Sequence, residues 1–289
     1  MTPATDGLIS VVIPFYQSRR YIRTCIESLL GQDCPADRYE IIMVDNNSSD
    51  DSPAIVREYS RIRLISEAKQ GAYAARNKGL RAASGEVVAF TDADCQVDPT
   101  WLSRIGQAMR DPRIGIVLGR SVFNSACREV CFLNAYEEQK NADICDSLDS
   151  SLYYGYTNNM AVRRNLFERC GDFVEISRGA DSLFVRKVVD TFGCSCVSYQ
   201  SNVLIRHLEI VTVLDYFRKR LAYGHSHQRC REIGGARALS TGERLRVFHQ
   251  MVQRQGYGMR EITSGIVLLT AGACCFAAGR LRGVFGRSG

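Results

Sequence analysis

Asp92 and Asp94 stand one residue apart at the end of an apolar run, in GEVVAFTDADC at 85–95. A buried strand that opens directly into two carboxylates is costly unless something binds them. Open α/β sheets gather ligands beyond the carboxyl ends of their strands, so the pair is placed to hold a divalent cation against a phosphate. The same spacing is common in turns, where an Asp side chain bonds its own backbone. Which reading holds depends on what else reaches that edge.

The flanking elements bring more groups there. ISVVIPFY at 9–16 reads as a β-branched strand ending in Pro14 and Tyr16, and YIRTCIESLL follows with apolar residues at helical spacing. EIIMVD at 40–45 is a second strand, closed by Asp45 and Asn46. The turn-rich NNSSDDS then leads to Pro53 at a helix start. RIRLIS at 61–66 is a third strand, and GAYAARNKGLRAAS is a helix that Gly85 stops. Alternation of this kind predicts βαβ units on a mostly parallel sheet. A helix at WLSRIGQAMR and a strand at IGIVLG follow, after which the pattern loosens over 120–178, with YYGYTNN at 153–159. A helix over 180–193, a strand near SCVSYQSNVLIRH and a long basic helical tail complete the chain.

With 289 residues, 45% hydrophobic and 24% charged, the chain suits one large domain or one with an appendage. The polar MTPATDG start predicts no secretory or transit segment. Twelve scattered cysteines without CxxC or ribbon spacing read as reduced thiols of a cytoplasmic protein. The net charge of +6 is uneven: from Arg218 onward there are 13 Lys/Arg against three Asp/Glu. Such a tail suits an anionic membrane face, an anionic substrate or a solvated helix surface. Nucleic acid is disfavoured, because no interleaved aromatics or known motif accompany the charge. A nicotinamide dehydrogenase is disfavoured because PFYQS, and no Gly-x-Gly-x-x-Gly turn, follows the first strand.

Taken in order, SVVIPFY, VDNNSSD, GAYAARNKG, FTDAD, TNNMAVRRNLF (157–167) and GADSLFVRK (179–187) resemble the family 2 inverting glycosyltransferases over roughly residues 8–225. The resemblance implies the GT-A fold, an α/β Rossmann-like mixed, mostly parallel sheet flanked by helices. It divides the chain into a catalytic domain over 1–217, with a nucleotide half at about 8–120 and an acceptor half at 121–217, and a basic helical tail over 218–289. The implied activity is metal-dependent transfer from a nucleoside-diphosphate-sugar, UDP being the expected nucleotide, to a glycan or lipid-linked hydroxyl in surface glycan or polysaccharide assembly. A polyprenyl-phosphate sugar synthase of the same fold and an inactive sugar-binding membrane scaffold are the alternatives.

Residue by residue, the resemblance implies that Pro14 and Tyr16 line the nucleoside pocket, with Asp45 and Asn46 beside the base or ribose. Arg76 would neutralise diphosphate or contact the base, against the plainer reading of an exposed helix charge. Asp94 would ligate Mn2+ or Mg2+, with Asp92 on the ribose or metal shell, and His207 would complete the metal site or serve structurally. Asp181 would be the catalytic base, or simply stabilise a first helical turn; Asp172 and Glu175 are the fallback bases. Asn158 and Asn159 would bond acceptor hydroxyls or make turn contacts. Three departures stand out: Gln17 for the common Asn, Asn46 for a frequent acid, and Ala180 for a frequent Glu. His225 and His227 cannot easily share a helix face, which argues against zinc.

ITSGIVLLTAGACCFAAG at 262–279 carries no charge and lies between Arg260 and the pair Arg280 and Arg282. Its length is near the minimum for a span. Gly265, Gly272 and Gly279 repeat every seven residues and mark a face for close helix contact. An interfacial helix peripheral on the cytoplasmic membrane face, a helix buried on the domain or in a homodimer, and a true span are the competing readings.

Overall fold

The computed structural model describes residues 7–285, apart from the side chains of 227–229, 231–232 and 282–285. The polar start before Gly7 and the side chains of His227 and Arg282 therefore lie outside the described residues. An eight-stranded sheet runs in the order β3-β2-β1-β4-β7-β6-β8-β5. Its parallel half comprises β1 (Ile9–Phe15), β2 (Tyr39–Asp45), β3 (Ile62–Ser66) and β4 (Val87–Thr91). These are the apolar runs of the sequence, and β1 and β4 are buried along their whole length, as a strand covered on both faces must be. The connecting helices are α1 (Ile22–Leu30), α2 (Ser52–Arg57) and α3 (Ala72–Ala82).

After β4 the chain makes the short β5 (Cys95–Val97) and α4 (Trp101–Ala108), then β6 (Ile116–Phe123). β7 (Asn159–Arg163) runs antiparallel between β4 and β6, and β8 (Val197–His207) pairs parallel with β6 and antiparallel with β5. Two cores cover the sheet. One lies under α1 and α4 around Trp101; the other lies under α3, α6 (Arg164–Cys170) and α7 (Ala180–Phe192), around Phe90, Phe167, Phe173 and Phe184. The twelve cysteines are free thiols.

Two local expectations differ from the structure. Gly85 does not stop α3, which ends at Ala82. A Cβ at Gly85 would sit 2.5 Å from the Leu8 carbonyl oxygen, so glycine is needed there for chain crossing. The loosened stretch over 120–178 contains the 18-residue α5 (Arg128–Cys145). Polar residues are buried on α5, including Asn134 and Gln139, which breaks the apolar periodicity that marks a helix.

The tail forms α8 (Val213–Glu232), α9 (Thr241–Gln255) and α10 (Met259–Phe285). α8 is continuous across residues 217 and 218, so the division between domain and tail falls inside a helix. The glycine face of α10 is used within the chain. A Cβ at Gly279 would lie 2.1 Å from the Leu221 oxygen, and one at Gly265 would lie 2.0 Å from the Phe132 ring. That face is thus taken by α8 and α5 and is not free for a homodimer. The opposite side leaves Ile266, Val267 and Leu281 exposed. Met259–Leu281 is long and apolar enough to cross a membrane, with mean hydropathy 1.8, and 17% of its apolar window is buried.

Candidate functional site

The parallel strands end together, and their loops interlock. Phe15 pairs with Asp45 in register, and the loop after β1 donates to the loop after β2: Gln17 N–H to Ser48 Oγ at 3.2 Å, Ser18 N–H to Ser52 Oγ at 2.9 Å and Arg19 N–H to Asp50 Oδ2 at 3.0 Å. Gln17 has φ 51° and Asn47 φ 66°, a left-handed turn in each loop. Pro14 is buried in β1, whereas Tyr16 is 52% exposed on the rim. Asp45 accepts the Ser48 N–H at 3.0 Å.

Asn46 needs correcting as a nucleotide contact. It is buried, its amide donates to the Glu67 and Lys69 carbonyls at 2.9 and 2.8 Å, and its oxygen accepts from Gly71 N–H at 2.7 Å. Its polar groups are spent on fixing the loop that enters α3. An acid there could not donate to two carbonyls.

Arg76 is buried, so the reading of an exposed helix charge is excluded. Its Nη2 lies 2.5 Å from Asp92 Oδ1, and its guanidinium lies over the Tyr73 ring at 5.0 Å. Burial works against its charge, yet Asp92, Tyr73 and Asp181 outweigh it and raise its pKa. Nε has no partner.

Asp94 follows Asp92 at the exit of β4. Burial, and then repulsion from Asp92, push its pKa up to about 6, with Lys219 of α8 opposing the rise. His207 Nε2 is 3.5 Å from Asp94 Oδ2, and Cys95 Sγ is 3.6 Å from Asp94 Oδ1. Ligand atoms of Asp94, Cys95 and His207 lie within 4.8 Å of one another. Burial and Lys219 lower the His207 pKa to about 4, which keeps the imidazole neutral, the form that ligates metal. A carboxylate crowded by a second carboxylate, beside a neutral imidazole, fits Mn2+ or Mg2+ as a donor set. Cys95 is a core thiol whose pKa burial raises well above normal.

Asp181 begins α7 and is 9% exposed. Its Oδ2 accepts from Thr157 N–H at 3.1 Å and Thr157 Oγ1–H at 3.3 Å, and its Oδ1 accepts from Ser182 N–H at 2.9 Å. Burial raises its pKa, while Arg76, Tyr73 and these donors pull the other way. It is therefore more than a cap at a helix start. The fallback bases are engaged in ion pairs: Asp172 pairs with Arg81 at 2.9 Å, and Glu175 pairs with Lys69 at 2.6 Å.

The two asparagines part company. Asn159 is fully buried: Oδ1 accepts from Trp101 Nε1–H at 2.9 Å, and Nδ2 donates to the Arg120 and Val203 carbonyls at 2.8 and 2.9 Å. It bolts three strands to α4 and has nothing left for a sugar, which corrects its reading as an acceptor ligand. Asn158 Oδ1 is instead buried with no partner among the described residues, as are Ser121 Oγ on β6 and Tyr199 OH on β8. Buried polar atoms are normally satisfied, so each of these leaves room for a polar partner, an ordered water or a ligand group.

Sequence reasoning missed Tyr73 and Lys219. Tyr73 OH accepts from Gly179 N–H at 3.2 Å and sits with Asp181 and Arg76. The signal for Tyr73 was its place three residues before Arg76 on α3; Lys219 gave none, as it lies on the tail.

Residues 10–173 match the model of glycosyl transferase family 2. The glycosyltransferase AglE of Haloferax volcanii is 30% identical over 193 residues, covering 65% of this chain and 63% of AglE, so the chain spans under two thirds of that relative. The mannosyltransferase PcManGT of Pyrobaculum calidifontis, solved with GDP-Man and Mn2+, superposes with a TM-score of 0.71 at 18% identity, covering 99% of this chain and 89% of its own. TarS 1-349 of S. aureus in complex with UDP-GlcNAc superposes at 0.54 and 18% identity, covering 93% and 81%. At these identities the two structures are evidence for the GT-A fold alone. The family match, which spans more than half of the chain, carries the assignment: the chain belongs to glycosyl transferase family 2.

Proposed function

We propose that the chain is an inverting glycosyltransferase that moves a sugar from a nucleoside diphosphate to a hydroxyl acceptor in surface glycan assembly. The observation that carries this is the meeting of Arg76, Asp92, Asp94, Asp181 and His207, drawn from four separate segments, at one edge of the sheet. Asp45 and Tyr16 receive the nucleoside, and Arg76, aligned by Tyr73 and Asp92, faces the diphosphate. Mn2+ or Mg2+, held by Asp94 and His207 with Asp92 in the shell, would offset the charge that builds on the departing diphosphate. Asp181 accepts the proton of the attacking hydroxyl as the new bond forms opposite the breaking one, which inverts the anomeric carbon. Asn158, Ser121 and Tyr199 orient the acceptor.

PcManGT was solved with GDP-Man and TarS with UDP-GlcNAc, which supports a nucleotide-sugar donor without choosing the base. The exposed apolar side of α10 and the basic tail support peripheral binding to the cytoplasmic membrane face. The same helix supports a second reading, transfer to a polyprenyl phosphate, which a lipid phosphate-linked product would establish.

A thermal-shift screen of UDP, GDP and dTDP and their sugars with Mn2+ or Mg2+ tests donor binding, because a native-state ligand raises the melting temperature. Purified Asp94→Ala and Asp181→Asn should then lose transfer. Unchanged turnover in either variant would sink the metal-ligand or base role of that residue.

A further inference from the structure

α8 carries Lys219 into the metal seat. Its Nζ is in contact with His207 Nε2 and lies 3.2 Å from Glu209 Oε2, with the side chain 23% exposed. The Glu209 backbone N–H already faces His207 Nδ1 at 3.3 Å, and a neutral imidazole accepts at one nitrogen only. The ammonium is therefore held at the ring by charge, from Asp94 and Glu209, and not by a good bond to the ring.

We propose that Lys219 is a resident cation of the Asp94 and His207 seat: it offsets the carboxylates when no divalent ion is bound, and an entering ion displaces it. The proposal rests on the metal-seat reading above. An ion entering between Asp94 and His207 needs the space that the ammonium occupies, and a doubly charged ion gains more from Asp94 and Asp92 than an ammonium does. The displaced lysine leaves the ring but keeps Glu209, already 3.2 Å away, on the side where a donor diphosphate would meet it. Metal loading thus places the ion's two positive charges beside the single charge of the lysine on the leaving-group side of the site.

Lysine-specific reductive methylation of the full chain, read by mass spectrometry with and without Mn2+, tests this. The chain has five lysines, and Lys69, 67% exposed, is the internal reference. Mn2+ should speed Lys219 labelling at least about fivefold, the equivalent of one partly exposed ion pair, and leave Lys69 unchanged. Free Mn2+ is followed in parallel by electron paramagnetic resonance, with Asp94→Asn as the control for the seat. Mn2+ binding that leaves Lys219 labelling unaltered overturns the resident cation and spares the metal seat; no binding at the seat overturns both. Lys219→Met should bind Mn2+ roughly fivefold more tightly, on the same ion-pair scale. Equal or weaker binding would count against displacement.

Discussion

Truncating Asn159 to Ala removes three hydrogen bonds from a site with no access to water. The Trp101 indole N–H is left without an acceptor beneath the sheet, a loss of about 1–3 kcal/mol, and the Arg120 and Val203 carbonyls each forgo a bond of about 1 kcal/mol. The sum is roughly 3–5 kcal/mol, which for a chain of this size lowers the melting temperature by roughly 10 °C. Asn158→Ala deletes an oxygen that has no partner, so its unfolding should stay within about 0.5 kcal/mol of wild type while acceptor-dependent turnover falls. Thermal melts by circular dichroism, backed by urea midpoints, compare the pair directly. Melting of Asn159→Ala within about 2 °C of wild type, or of Asn158→Ala as low as Asn159→Ala, would refute this division of roles.

Asp181→Asn should lower kcat by about 10²–10⁴ while keeping the nucleotide-induced thermal shift, since the proposed nucleoside contacts Tyr16 and Asp45 lie in other loops and the amide oxygen still accepts one of the two sets of bonds, from Thr157 or from Ser182. Because burial raises the Asp181 pKa, wild-type kcat should fall on its acid side above the ordinary carboxylate range; pH–rate profiles check this. By linkage, the same group favours the native state at low pH, and that contribution is lost as pH rises through the raised value. Glu137, whose pKa Lys140 and Arg220 hold down at about 2 against burial, should cost about 3–5 kcal/mol as Glu137→Ala, seen as a lower urea midpoint, because both cations lose their anion. Flotation with anionic vesicles should recover the chain and lose it as salt rises, and Ile266→Asp with Val267→Asp should abolish recovery without lowering the melting temperature.

The parallel half was legible because each strand is buried on both faces and so spells an unbroken apolar run, as in VVIPF and IIMV. The turn after it was legible for the same reason: Asp92 and Asp94 interrupt VVAF abruptly. α5 was not, since it buries Asn134 and Gln139 against protein and shows no stripe. Position along the chain singled out Asp181 and Arg76 as candidates, and the fold brings them together, but residue type could not separate Asn158 from Asn159. Which amide is spent on Trp101 depends on β7 lying between β4 and β6, a contact set by topology. Lys219 was invisible for the same reason, because only the return of α8 to the strand ends brings it to His207.

α8 has two jobs that share one rod. It presents Lys219 to His207 at the end of β8, and a Cβ at its Gly224 would sit 2.0 Å from the Phe276 oxygen of α10, so the two helices are locked at backbone distance. A shortened chain ending after β8, the obvious route to shedding an apolar tail for solubility, would also tear a wall from the site. Gain in handling and loss of turnover would come from the same cut. Recharging the outer side of α10 at Ile266, Val267 and Leu281 leaves α8 in place and separates the two.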